Sequence, residues 1–271
     1  MKQLLFLLAG FTCIDMAVAQ KGIRGLVNAE RRFAEFTATH TVKEGFLKYM
    51  DSAGVIFRQG VDINAMDTYK RQTASPGVLS WEPVFAVISA SGDMGITTGP
   101  YEFRLKPEDT ATGRGTFFSI WRISRQGEWK VLADFGTGYT KKAPEQELRQ
   151  IVLSKTSSAP GLVEEIIQLD KKFNRAIQEK NMGAWMPFIS SDSRFNMDAQ
   201  FPATGMLQIA DAMQKVPAGL IIATKTGELS AAGDLAYTYG MVANGPVKNN
   251  YLRAWIYRNG QWQVIAQTLK W

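Results

Sequence analysis

Phe117-Phe118-Ser119-Ile120-Trp121-Arg122-Ile123, then Arg125-Gln126-Gly127, then Trp129-Lys130-Val131-Leu132-Ala133-Asp134-Phe135 is the stretch on which the fold turns. Two runs rich in aromatic and β-branched residues, separated by a short glycine-bearing link, read as a β-hairpin. A twin lies further on: Tyr251 to Tyr257, Arg258-Asn259-Gly260, and Trp262 to Leu269. Asn259-Gly260 is a favoured type I′ turn pair.

Working outward from the twin hairpins, the rest of the chain repeats as well. Gly127-Glu128-Trp129-Lys130-Val131 matches Gly260-Gln261-Trp262-Gln263-Val264, and Ser91-Gly92-Asp93-Met94-Gly95 matches Ala232-Gly233-Asp234-Leu235-Ala236. Upstream, Leu26, Ala29, Phe33 and Phe36 form one apolar helical stripe, repeated by Ile166, Leu169, Phe173 and Ala176. Glu30-Arg31-Arg32-Phe33 matches Asp170-Lys171-Lys172-Phe173 within those helices. A second short helical stretch follows in each copy, over Thr41 to Met50 and over Met182 to Ile189, and strands follow that. Helices first and strands later predict an α+β fold, with helices packed on one face of a curved antiparallel sheet. The polar segment Thr140 to Gly161 reads as a linker with one short helix over Glu145 to Leu153. The predicted organisation is a leader over 1–19, a first unit over 20–142, a linker over 143–159 and a second unit over 160–271.

The leader reading rests on Lys2, the apolar run Leu4 to Phe11 and the small-x-small site Ala17-Val18-Ala19. These predict a cleaved signal peptide, with cleavage after Ala19 and a periplasmic or secreted mature chain. Cleavage would remove Cys13, the only cysteine, and with it disulfides, thiolate metal sites and cysteine nucleophiles. The chain carries 31 Lys and Arg against 25 Asp and Glu, a net charge of +6, and the excess is dispersed in pairs rather than gathered in a patch. That pattern argues against a nucleic-acid partner. The apolar run of the leader is too short to span a bilayer, so no membrane partner is expected once it is cleaved.

The helix with its phenylalanine stripe, the Ser91-Gly92-Asp93 strand opening and the aromatic hairpin resemble the nuclear transport factor 2-like superfamily, SnoaL-like domains and related domains of unknown function included. Gly92 to Phe103 is the most family-like stretch, and its counterpart Gly233 to Gly240 is more divergent. The resemblance implies two tandem cone-shaped α+β barrels, each closed on one side by its long helix. It also implies a range of activities, from ketosteroid isomerases, polyketide cyclases and dehydratases to non-enzymatic binding domains, among which a fold does not choose.

The chemical inventory narrows the choice. His40 is the only histidine, so histidine metal sites and serine–histidine triads are disfavoured and no metal or cofactor is expected. An apolar cone can host a carboxylate of shifted pKa or a tyrosine. Asp134 is the leading candidate, alternating with Lys130 and Leu132 along its strand; its repeat partner is Gln267, which exchanges no proton. Trp81, Tyr101 and Arg104 are the further candidate pocket residues, and Tyr239, Arg253 and Trp255 form the analogous set in the second copy. Asp93 and Asp234 directly follow glycine and suit backbone hydrogen bonding in turns. Three readings remain open: a binder of a small apolar or amphipathic ligand in the first cone, a lyase or isomerase with Asp134 as base and Tyr101 or Arg104 steadying an enolate, and a purely structural pair. The last strands carry apolar residues on both faces, which predicts that the copies meet sheet to sheet as an intramolecular pseudo-dimer in a monomeric chain.

Overall fold

The computed structural model describes residues 22–74, 76–154 and 161–271; the leader over 1–19 lies outside them. The first unit opens with α1 (Ile23–Thr39) and α2 (Val42–Tyr49), followed by β1 (Met50–Arg58), β2 (Val61–Asn64), α3 (Ala65–Arg71), β3 (Val78–Trp81) and β4 (Phe85–Ile88). It continues through β5 (Met94–Arg104), β6 (Gly113–Ile123), β7 (Trp129–Gly138) and β8 (Arg149–Val152). The second unit runs α4 (Val163–Gln178), α5 (Met182–Trp185), a 3-10 turn over Met186–Phe188, β9 (Arg194–Met197), β10 (Ala203–Thr204) and α6 (Gly205–Gln214). Strands β11 (Ile221–Leu229), β12 (Leu235–Asn244), β13 (Val247–Arg258) and β14 (Gln261–Leu269) complete it.

The fold is α+β, built on two curved sheets. The first has the order β2-β1-β7-β6-β5-β4-β8, with β3 also on β5; the second has the order β10-β9-β14-β13-β12-β11. Both are mixed rather than purely antiparallel, because β1 runs parallel to β7, β4 parallel to β8, and β9 parallel to β14. Neither sheet closes into a barrel. Asn259 and Gly260 both take positive φ, as a type I′ turn demands. The helix expected over Glu145 to Leu153 is absent: Arg149–Val152 is β8, which pairs with Phe85–Ile88 and extends the first sheet. Helices α3 and α6 went unread in the sequence. A free edge strand can recruit a short apolar run into a sheet whatever its helical propensity.

Each long helix buries its stripe on one face of its own sheet. Leu26, Ala29 and Phe33 of α1 meet Phe46, Ile88, Trp121 and Val131. Ile166, Phe173 and Ala176 of α4 meet Trp185, Phe195, Trp255 and Val264. Full burial of one such side chain contributes about 1.5–3 kcal/mol, so these stripes rather than helix propensity hold α1 and α4 in place. The opposite faces share a third core, in which Phe57, Val87, Ile96, Phe118 and Phe135 pack with Leu235, Tyr237, Tyr239, Leu252 and Ile265. Tyr239 belongs to this core between the units and hydrogen-bonds Asp62 at 3.3 Å, so it is not a pocket residue of the second copy.

The turn aspartates act across that boundary in a reciprocal pattern. Asp234 accepts from Ser230 Oγ of its own turn at 2.9 Å and from the Ala90 N–H of the first unit at 2.8 Å. Asp93 accepts from Ser91 Oγ at 2.6 Å and from the Ala231 N–H of the second unit at 3.0 Å. Each turn thus caps the backbone of its repeat partner.

Candidate functional site

The site is built on a β-bulge. Register across β6 and β7 slips between Ile120 and Trp121, with Ile120 opposite Ala133 but Trp121 opposite Val131, so Leu132 is the extra residue. Because strand side chains alternate, one extra residue reverses the facing of everything beyond it. Trp129 and Val131 face the helices, while Leu132, Ala133 and Phe135 all join the core between the sheets. Asp134 therefore does not share a face with Leu132, as plain alternation would have it. The bulge turns Asp134 and Gly136 inward.

There they line a cavity of about 240 Å³ with Phe33, Phe46, Leu79, Trp81, Tyr101 and Phe117. Asp134 accepts a hydrogen bond from Ser119 Oγ, its cross-strand neighbour, at 2.8 Å. Burial pushes its carboxyl up to about 6, against the opposing pull of the Ser119 bond. Tyr101 is raised as well, again chiefly by burial, and so stays a proton donor at neutral pH. Its ring lies over Gly115, where a Cβ would stand 2.5 Å from the ring and 1.8 Å from Thr137 O. Three of the four candidate pocket residues, Trp81, Tyr101 and Asp134, thus line one cavity. Arg104 does not: its guanidinium is held by Glu102 and by Ser80 Oγ at 3.3 Å. His40 stacks on Phe36 at the end of α1, with ring centres 3.8 Å apart. Among the described residues no group of three or more His, Cys, Asp or Glu side chains is placed to hold a metal ion.

Sequence reading missed Glu30. It is fully buried and accepts from the Trp81 indole at 2.5 Å, from the Trp121 indole at 2.8 Å, and from Thr97 Oγ1. Burial lifts its carboxyl to about 7 against the pull of those three donors, and the nearby Asp134 adds to the rise. The signal was available, since Glu30 lies four residues after Leu26 and three before Phe33, on the apolar face of α1. Glu30 fixes the indole that forms one wall of the cavity.

The second unit carries the same frame with the space filled. Asp170 replaces Glu30, and Trp255 donates to Thr238 at 3.0 Å as Trp121 donates to Thr97 at 3.0 Å. Arg253 replaces Ser119 and enters the core: its guanidinium pairs with Asp170, donates to Gln267 Oε1 at 2.7 Å, and lies 4.4 Å from the Phe173 ring centre. Arg253 and Trp255 are therefore packing residues of this core.

A larger cleft of about 530 Å³ adjoins the cavity, with Trp81 and Tyr101 lining both. Its rim is formed by Glu82, Glu102, Arg114 and Tyr139 and by the segment 142–146.

No protein-family model matches the chain, and no curated protein matches it. Among solved structures, a nuclear transport factor 2-like protein of unknown function from Pseudomonas putida is 18% identical, covering 39% of this chain and 83% of its own, with a TM-score of 0.34. A nuclear transport factor 2-like protein from Cytophaga hutchinsonii is 18% identical, covering 40% and 97%, with a TM-score of 0.34. A protein provisionally named a polyketide cyclase, from Sinorhizobium meliloti, is 12% identical, covering 40% and 98%, with a TM-score of 0.32. Each of these structures spans about two-fifths of this chain, and none bears on its activity.

Proposed function

We propose that this protein is exported and binds a small amphipathic molecule in the cavity of its first unit. The ligand's apolar body lies against Phe33, Phe46, Leu79 and Phe117, and its hydrogen-bond donor meets Asp134. The observation that carries this reading is a burial-raised carboxyl, held by the Ser119 hydroxyl and opening on an otherwise apolar cavity. A carboxylate in such surroundings retains an unmet demand for a donor, and a ligand hydroxyl or amine answers it. The volume falls below the roughly 300–1,000 Å³ typical of drug-sized sites and suits a small molecule. Calorimetric titration with 2-naphthol and 2-methoxynaphthalene tests the reading: the hydroxyl compound binds more tightly, and Asp134→Leu removes the preference. Equal binding of the two by the unaltered protein overturns it.

The raised carboxyl also favours a second reading, in which Asp134 is a general base. A carboxylate of pKa about 6 is mostly ionised at neutral pH yet a better base than a solvated one. It would take a proton from the carbon beside a ligand carbonyl while the Tyr101 hydroxyl donates to the developing enolate oxygen. An isomerase returns that proton to a different carbon, and a lyase expels a β-substituent. Exchange of solvent deuterium into ketone probes, followed by NMR, separates the readings: a base loses exchange in Asp134→Asn while binding persists, and a pure binder shows none.

On this proposal the mature chain begins at Gln20, which N-terminal sequencing of the exported protein checks. It works as a single chain whose units pair with each other, so sedimentation gives a monomer.

A further inference from the structure

The cleft beside the cavity has a cation behind it that nothing in the first unit explains. Arg194, on β9 of the second unit, is 5% exposed, and its Nε has no hydrogen-bond partner among the described residues. Its Nη1 donates to Gln146 Oε1 at 3.0 Å, and Gln146 is an exposed side chain on the rim of the cleft. Among the described residues no carboxylate pairs with Arg194. The neighbouring Asp192 is taken by Arg149 and by Arg258. Two acids of the cleft are committed too, Glu82 to Arg31 at 2.6 Å and Glu102 to Arg104 and to Arg114 at 2.9 Å, and the third, Glu145, is exposed on the rim.

A buried guanidinium without a counter-charge is costly, and burial pulls Arg194 down to about 10. Such a group persists where an anion completes it. Its present acceptor is a neutral carboxamide oxygen on a side chain free to swing into solvent. That oxygen stands where one oxygen of a carboxylate would lie, accepting from Nη1 in place of the carboxamide. Arg194 meets the cleft through Gln146, whose side chain lines the rim and accepts from Nη1.

We propose that the second unit completes the binding site: Arg194 receives the carboxylate of an amphipathic anion whose apolar body occupies the cavity, with Gln146 displaced as the ligand enters. This rests on the reading that the cavity binds a ligand, and it narrows that ligand to an organic acid with its charge set apart from its apolar body. Asp134 at the inner end repels the carboxylate and fixes the orientation.

The probes are 4-(6-hydroxy-2-naphthyl)butanoate, whose hydroxyl supplies the donor for Asp134, and its primary amide, titrated calorimetrically into the mature protein. The acid binds about tenfold more tightly than the amide, as a charge-assisted pair replaces a neutral one. Arg194→Gln brings the two within about twofold while amide binding is kept. Should that variant fail to fold, Gln146→Glu serves, because it supplies Arg194 with a carboxylate from the rim. It abolishes the preference for the acid and raises the unfolding temperature. Equal affinities of the two probes for the unaltered protein overturn the proposal and leave the cavity reading standing. So does a preference that survives Gln146→Glu. Failure of both probes to bind overturns the cavity reading and this proposal together.

Discussion

Replacing Asp134 by asparagine stabilises the protein at alkaline pH, and the size follows from the carboxyl's environment. The group moves from an ordinary 3.8 to about 6 on folding, so its ionised form is disfavoured in the folded state. Each tenfold change in proton affinity corresponds to about 1.4 kcal/mol, which gives about 3 kcal/mol as an upper bound, reduced by whatever water enters the cavity. The sign follows from proton linkage. Between pH 3.8 and about 6 the folded chain holds a proton at Asp134 that the unfolded chain has released, so this group's contribution to stability falls as pH rises through that window and is level above it. Asparagine has no charge to bury and still accepts from Ser119 Oγ, so the variant lacks that decline. Urea unfolding of both proteins at pH 4, 6 and 8 gives a difference in favour of the variant that is largest at pH 8 and vanishes near pH 4. A variant less stable than its parent at pH 8, or a difference independent of pH, refutes the reasoning that places Asp134 in a dry cavity. A side chain that lowers stability and yet lines a cavity is the expected signature of a functional group.

Glu30→Gln removes the upper part of the same pH dependence: the carboxyl of Glu30 is raised to about 7, so stability falls between about pH 4.5 and 7 in the parent, and unfolding titrations of the variant lack that slope. Arg253→Met strands Asp170 as an unpaired buried charge and costs about 3–5 kcal/mol in chemical denaturation, most of it restored by adding Asp170→Asn; a double variant no better than the single contradicts the pairing. Asp234→Ala costs about 1–3 kcal/mol by orphaning buried donors, and hydrogen exchange quickens at the Ala90 amide of the other unit, just as Asp93→Ala quickens it at Ala231. Exchange that changes only within the substituted turn would deny the crosswise capping.

Long, strongly periodic segments were legible without a structure. The stripe Leu26, Ala29, Phe33 predicts α1, and the Asn259-Gly260 pair predicts the turn between β13 and β14, because both signals are local. The cavity was partly legible: Trp81, Tyr101 and Asp134 meet there, whereas Arg104, equally plausible on its strand, turns to Glu102. Strand residues near a sheet edge choose between ligand-facing and neighbour-facing conformations according to which partner lies closer, and that partner belongs to another part of the chain.

Sequence by itself determined the recurring motifs, the helix stripes, the hairpins and the contrast between Asp134 and Gln267, since identity, order and period survive unfolding. Tertiary structure alone decided which way Asp134 points, because a single unpaired residue at Leu132 reverses the face of a strand and leaves no mark in composition. It likewise decided that β8 joins the first sheet, that Arg253 fills the second unit, that Glu30 holds the Trp81 wall and that Arg194 stands without a counter-charge among the described residues. Each of these depends on the pairing or burial of groups far apart in sequence, and burial, which sets the charge state of a side chain, exists only once the chain has folded.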